Sequence, residues 1–190
     1  KERNADYTTD VGAAAFYGPK IDFDAKDSLG REWQVATLQV DRNMPENFDL
    51  TCINEKGKKE RVVMLHAAIM GSLERFLSVY LEHSAGNFPL WLSPEQIRIL
   101  PISESHNKYS WKVCENLKKK GFRVEVDENN DTLGKKISRV KSEKVPYYMV
   151  IGDKEEESEI LKIEGRDGKA NELSFNQLVE KLEREVASRL

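Results

Sequence analysis

Lys20, His66 and Arg75 are the side chains of this sequence whose types and settings point most directly to chemistry. Lys20 follows Gly18-Pro19 in the run Ala15-Phe16-Tyr17-Gly18-Pro19-Lys20-Ile21, where the fixed φ of proline stiffens its approach. Arg75 lies in Gly71-Ser72-Leu73-Glu74-Arg75-Phe76, a stretch with helical spacing. Its planar, permanently charged guanidinium suits phosphate oxygens and the charge that develops as a phosphate leaves. Gln34 and Gln39 stand between them in a strand-like run, able to donate and accept hydrogen bonds without adding charge. His66 closes another strand-like run; a lone histidine there reads first as a satisfied core residue and second as a metal ligand. Singly, Arg75 is an ordinary surface arginine and the glutamines belong to a solvent face. Together they put polar groups on elements that otherwise read as core, which is how a wall of a small-ligand site is built.

The elements must position these groups within 190 residues, a length for one large domain or two small ones. The chain is 39% hydrophobic and 33% charged, so it can bury a core. Its net charge of -3 provides no global basic field, so any RNA contact has to come from a local patch. Cys52 and Cys114 are far apart and form no CxxC pair, as expected of a reduced, intracellular protein. No apolar run approaches a membrane span and no secretory leader is visible. The chain opens on Lys1 and enters mid-pattern, which predicts a piece of a longer protein.

Residues 1–10 are polar and expected to fray. Residues 16–24 read as a turn feeding a strand, 27–32 as a hairpin tip, and 33–40 as a strand rich in β-branched and apolar residues. Residues 48–54 and 60–65 flank the loop 55–59 as a second hairpin. The period then changes: Ile69, Leu73, Phe76, Leu77 and Tyr80 predict a helix over 68–83, laid against an antiparallel sheet. Phe88, Pro89, Trp91 and Pro94 mark a connector, and a domain boundary is expected after Leu92, giving domains 1–92 and 93–190. Beyond it, strands at 96–102, 122–126 and 145–152 alternate with helices from Ser103 or Ser105 to Lys120 and over 133–143. A hairpin over 159–173 and a closing amphipathic helix over 175–190 follow, with Leu178, Leu182 and Val186 four apart. The order βαβαβ–ββ–α predicts a mixed sheet covered by helices, and the whole chain an α/β (α+β) protein.

Several blocks then carry a resemblance. They are Ala15-Phe16-Tyr17-Gly18-Pro19-Lys20, Trp33-Gln34, Thr37-Leu38-Gln39, the His66 strand and Gly71-Ser72-Leu73-Glu74-Arg75-Phe76. Phe88-Pro89 with Trp91-Leu92 and Pro94, Val145-Pro146-Tyr147 and Gly152-Asp153-Lys154-Glu155 continue the series. In this order the chain resembles, over nearly all its length, the C-terminal portion of the threonyl-tRNA synthetases, a class II aminoacyl-tRNA synthetase family. The resemblance implies part of a class II antiparallel sheet with its helix, followed by a mixed five-stranded α/β anticodon-binding domain.

The resemblance implies that Arg75, in the third class II signature, contacts the ATP phosphates, and that Gln34 and Thr37 share the ATP site. Tyr17, Lys20, Gln34, Gln39 and Ser72 match positions lining the threonine and adenylate pocket, with Lys20 and Arg75 in catalytic roles. His66 matches one of three zinc ligands, the other two lying upstream; the family's zinc binds the threonine amino group and hydroxyl, which valine cannot satisfy. Asn130 and Glu155, with Lys135, Lys136, Lys154 and Arg166, match anticodon-reading positions. Lys135, Lys136, Arg139, Lys141 and Lys144 form a basic stripe able to track an RNA backbone, or simply a solvated helix face. The expected partners are threonine, ATP with Mg²⁺, tRNA-Thr and a second subunit in a homodimer, in the cytoplasm and without a membrane. The first two class II signatures are absent from these residues, so the fragment alone is expected to be inactive.

The chain departs from the family pattern in four places. Ala67 follows the histidine where arginine is usual, Thr132 replaces a lysine, Glu164 replaces an arginine, and 12–16 read Gly-Ala-Ala-Ala-Phe. The lost positive charge motivates the alternative of a non-catalytic tRNA-binding paralogue or accessory module.

Overall fold

A computed structural model describes residues 6–189. The polar residues 1–5 and the terminal Leu190, which the sequence assigns to a frayed start and to the last helix, lie outside the described residues. Contacts divide the chain into two compact units after His83. The sequence places the boundary after Leu92; the connector instead groups with the second unit, because Leu90 is buried in that unit's core.

In the first unit, β1 (Lys20–Lys26), β2 (Glu32–Asp41) and β5 (Met64–Ile69) form an antiparallel sheet in the order β1-β2-β5. Asp27 closes the β1–β2 tip: its Oδ1 accepts the backbone N–H groups of Leu29 and Arg31, each at 2.9 Å, and its Oδ2 accepts Trp33 Nε1 at 2.8 Å. Between β2 and β5 lie α1 (Asn43–Asn47) and a small hairpin of β3 (Thr51–Ile53) and β4 (Lys59–Arg61). The second expected strand of that hairpin is thus divided, and β5 runs on through Ile69. The helix α2 (Leu73–Ser84) starts later than its apolar period suggests, because Met70 and Gly71 both take positive φ and turn the chain sharply. Expected to lie on the sheet, α2 buries no residue; Arg31 reaches Glu82 at 2.7 Å to tether it.

Alternation gives the sheet two unlike faces. Ile21, Phe23, Leu38, Leu65 and Ile69 share one, and all five are exposed. Lys20, Asp22, Thr37, Gln39 and His66 share the other. A β-bulge between Phe23 and Asp24 breaks the regular pairing and carries Gln34 to the polar face, where it meets Asp22.

The second unit has β6 (Ile97–Pro101), α3 (Asn107–Lys119), β7 (Val124–Val126), α4 (Leu133–Ser142), β8 (Tyr147–Ile151), α5 (Asp153–Ser158), β9 (Ile160–Gly165), β10 (Ala170–Ser174) and α6 (Phe175–Ser188). Five strands pair in the order β10-β9-β8-β6-β7, parallel at β7–β6–β8 and antiparallel at β8–β9–β10. This is the mixed sheet read from the sequence, with the short α5 added. Ile97, Ile99, Met149, Ile151 and Ile163 from the sheet pack with Val113, Leu117, Leu178 and Leu182 from α3 and α6.

Candidate functional site

A cavity of about 560 Å³ opens beside the polar face of the first unit. Tyr17, Thr37, Gln39 and His66 line it, joined by Phe16, Asp41, Asn43 and Met44. Tyr17 reaches it from the loop before β1, whose course depends on Gly18. A Cβ there would collide with the Val40 carbonyl oxygen, while Val40 N–H donates to Pro19 and Arg42 N–H to Tyr17, each at 3.0 Å.

The polar face carries two carboxylate-centred clusters. In one, Asp22 Oδ2 accepts Lys20 Nζ at 2.5 Å, and its Oδ1 accepts Gln34 Nε2 at 2.8 Å and Thr37 Oγ1 at 2.5 Å. The Lys20 and Thr37 hydrogen bonds hold the Asp22 carboxyl below its usual range, and Asp22 in turn pushes the Lys20 ammonium up. In the other, the buried Asp41 accepts the backbone N–H groups of Asn43 and Met44 at 2.8 and 2.9 Å through Oδ1. Its Oδ2 lies 2.8 Å from His66 Nε2. The Met44 amide is the main reason the Asp41 carboxyl is held low, with His66 and Asn43 adding to it against burial.

Lys20, Gln34, Thr37, Gln39 and His66 therefore share one sheet face, although Lys20 and Gln34 do not line the cavity itself. Arg75 and Ser72 stand at the start of α2, outside the cavity lining. Ser72 Oγ donates to Glu74 and accepts the Arg75 backbone N–H, and no ion pair engages Arg75 among the described residues. Sequence reading missed Asp22 and Asp41. Each lies two residues beyond a singled-out residue on the same strand face, Lys20 and Gln39, and that spacing is the signal that could have found them.

The donor set does not complete a zinc site. Among the described residues no three histidine, cysteine or carboxylate groups are arranged to hold a metal ion, and His66 is engaged with Asp41, whose other oxygen caps α1. His66 by itself provides at most one of the ligands that a tetrahedral site needs.

In the second unit the basic stripe is largely spoken for. Lys136 is buried, and its ammonium donates to the Pro101 and Asp127 carbonyls, each at 3.0 Å. It holds α4 to the sheet and does not present itself to RNA, contrary to the sequence reading. Arg139 is clasped by Asp127 at 2.7 Å and by Asp131, and Lys135 reaches Asp131 at 2.6 Å. Lys141 lies 3.5 Å from Glu164, so the residue that departs from the family pattern has a local partner. Burial, with Glu164 adding to it, pushes the Tyr148 hydroxyl far up. Asn130 and Arg166 are exposed, Arg166 donating to the Phe88 carbonyl at 2.7 Å. The Glu155 carboxylate accepts the Gly152 N–H at 3.1 Å and so caps α5. Both cysteines are free thiols, Cys52 exposed and Cys114 buried. No helix among the described residues is long and apolar enough to cross a membrane.

Two family models match along the chain. Residues 3–84 match the tRNA synthetase class II core domain (G, H, P, S and T), and 96–185 match the anticodon binding domain. A threonine–tRNA ligase of Caldanaerobacter subterraneus subsp. tengcongensis is 45% identical over 190 residues, all of this chain and 30% of its own length. One from Thermotoga petrophila is 47% identical over 184 residues, 96% of this chain and 29% of its own length. The chain thus spans about 30% of the curated relatives it matches. A crystal structure described as the RNA binding domain of threonyl-tRNA synthetase from Cryptosporidium parvum Iowa II superposes with a TM-score of 0.88 at 35% identity, covering 97% of this chain and 47% of that one. A class II core match followed by an anticodon-domain match, within relatives of a single kind, leads to one conclusion: the chain belongs to the class II aminoacyl-tRNA synthetases, as the C-terminal portion of a member of the threonine–tRNA ligase family.

Proposed function

We propose that the whole protein is a threonine–tRNA ligase and that this chain supplies one wall of its active site together with its anticodon-binding domain. The reaction has two steps. The threonine carboxylate attacks the α-phosphorus of Mg²⁺-bound ATP, forming threonyl-adenylate and releasing pyrophosphate. A hydroxyl at the tRNA 3′ end then attacks the acyl carbon, loses its proton and releases AMP.

The observation that carries the reading is the single polar sheet face on which Lys20, Thr37, Gln39 and His66 stand beside a ligand-sized cavity, in a chain that also holds an anticodon-type domain. Positioning and charge stabilisation dominate such phosphoryl chemistry. Lys20 has N–H groups to spare for a carboxylate or phosphate oxygen. Gln39 and Tyr17 hydrogen-bond the amino acid from the cavity wall, and Ser72 approaches it from the start of α2, outside the lining. Gln34 and Thr37 extend the polar face towards ATP, and Arg75, exposed on α2, neutralises charge on the phosphates as pyrophosphate departs. His66 would serve as one zinc ligand only if residues outside this chain segment complete the set. Asn130, Lys135 and Arg166 are the exposed groups offered to the anticodon, with Glu155 acting through its α5 cap. The protein would work in the cytoplasm as a homodimer.

The test is pyrophosphate exchange into ATP by the full-length protein. Exchange that depends on threonine, exceeds that with valine by at least about a hundredfold, and is followed by charging of tRNA-Thr supports the reading. A folded full-length protein that binds tRNA-Thr but shows no threonine-dependent exchange would be the accessory module instead. The buried Lys136 and the Lys141-paired Glu164 leave a less basic α4 surface than expected, and it is this that keeps the second reading in play.

A further inference from the structure

Asp22 joins three side chains on the polar face, and no role has yet been assigned to it. Its bonding differs in kind from that of Asp27 and Asp41, two other low-lying carboxylates of the first unit. Asp27 and Asp41 each accept backbone N–H groups and so tie down a hairpin tip and the start of α1. All three partners of Asp22 are side chains: Lys20, Gln34 and Thr37. Asp22 therefore holds no loop or turn together. It orients three side chains on an open sheet face.

A carboxylate only accepts hydrogen bonds, so each partner must turn a donor towards it. Gln34 commits its Nε2 to Asp22 Oδ1, which leaves its Oε1, an acceptor, for a ligand. Placing Oε1 on Asp22 instead would set two acceptors against each other, so the carboxylate fixes the amide orientation. Thr37 commits its one hydroxyl proton at 2.5 Å, much the shorter of its two contacts, the other being the Ile21 carbonyl at 3.3 Å. It too is left with lone pairs to offer. Lys20 commits one N–H to Oδ2 and keeps the rest. The β-bulge that brings Gln34 to this face makes the arrangement possible.

We propose that Asp22 is a positioning residue that sets the donor and acceptor polarity of this face, so that it takes a ligand carrying an anionic oxygen beside an N–H or O–H donor. Lys20 meets the anion, and Gln34 Oε1 and Thr37 Oγ1 meet the donor. Both threonine, with its carboxylate and ammonium, and the α-phosphate and ribose of the nucleotide have this chemistry. The proposal deepens the ligase reading and rests on it for the identity of the ligand, but the orientation of the three side chains stands apart from the reaction.

The experiment uses the full-length protein with Asp22→Asn, Asp22→Ala, Lys20→Met and the double variant D22A/K20M. In pyrophosphate exchange, Asp22→Ala should lower kcat/KM by about tenfold to a hundredfold with the melting midpoint almost unchanged. A rise in the threonine KM alone assigns the face to the amino acid, and a rise in the ATP KM alone assigns it to the nucleotide. On the Lys20→Met background, Asp22→Ala should add less than about threefold, because a residue acting through its partners is non-additive with them. Full activity in both Asp22 variants, or strictly additive losses, overturns the proposal. Crystal structures of the wild type and Asp22→Ala give the independent reading. Lys20 and Gln34 should leave their wild-type orientations in the variant; if both stay in place, Asp22 does not position them, whatever reaction the protein catalyses. A wild type without threonine-dependent exchange counts against the ligase reading alone, and the two structures then decide the role of Asp22.

Discussion

At the scale of single residues, a lysine's surroundings decide whether it meets RNA or holds the fold. Lys135 and Lys136 are neighbours in the sequence, yet Lys136 is buried under two backbone carbonyls and Lys135 is exposed. Lys136→Met leaves those carbonyls without a donor and should destabilise the second unit by about 1–3 kcal/mol. Denaturant unfolding would show this, with little change in the salt dependence of tRNA binding. Lys135→Ala should do the reverse, weakening tRNA binding at low salt with stability nearly unchanged. Equal effects of the two on RNA affinity would refute the distinction. The carboxylates around Arg139 give a pH prediction. Burial works against the low pKa of Asp127, but Asn129 and Arg139 overcome it, and Lys135 and Arg139 hold Asp131 down. Groups depressed by folding stabilise fully above their unfolded pKa and lose that contribution as pH falls through the folded one. The urea midpoint should therefore be flat near neutrality and fall below about pH 4. Asp127→Asn should blunt the fall, and a midpoint that rises on acidification would contradict the account.

At the scale of elements, most strands and helices are legible because their periods are clean: β2, β6, β8, α3, α4 and α6 all stand near where alternation or a 3.6-residue repeat puts them. The short α1 is not, since a five-residue helix containing Pro45 has no period to read and is fixed by Asp41 accepting two backbone N–H groups. The β5–α2 boundary is misread because Ile69 fits the helical spacing, while the left-handed Met70 and Gly71 end the strand only after it. The site shows the same limit. Gln34 and Gln39 are five residues apart, and in an unbroken strand they would face opposite ways. The bulge that reconciles them depends on the pairing of β1 with β2, which one strand's sequence does not state. The residue types at the site were readable; the bond from Asp22 to Gln34 was not. Gly18 is a position where element and site meet. Gly18→Ala must push the loop off Val40, at a cost of about 1–3 kcal/mol. Under the proposed function it should raise the threonine KM of the full-length protein by displacing Tyr17, while a wild-type KM would show that the loop does not shape the cavity.

At the scale of the whole molecule, the two units differ in what they bury. Every large apolar side chain that is buried among the described residues belongs to the second unit, from Leu90 to Leu182. The first unit buries Asp27, Asp41 and Pro45, and leaves Ile21, Phe23, Leu38, Leu65 and Ile69 exposed on one sheet face. Hydrophobic burial is the main driving force of folding, so residues 84–190 alone should melt cooperatively and residues 1–83 alone should not. Circular dichroism of the two pieces checks this directly, and a sharp transition in the first piece would contradict it. We propose that the first unit, through its polar face and through Arg75 on α2, helps to activate threonine. The most direct test of this is pyrophosphate exchange by full-length wild type and Arg75→Ala, each shown to be folded by its melting curve. The account predicts threonine-dependent exchange in the wild type and a loss of at least about a hundredfold in the variant. Exchange that is absent from the folded wild type, or undiminished in Arg75→Ala, would contradict it.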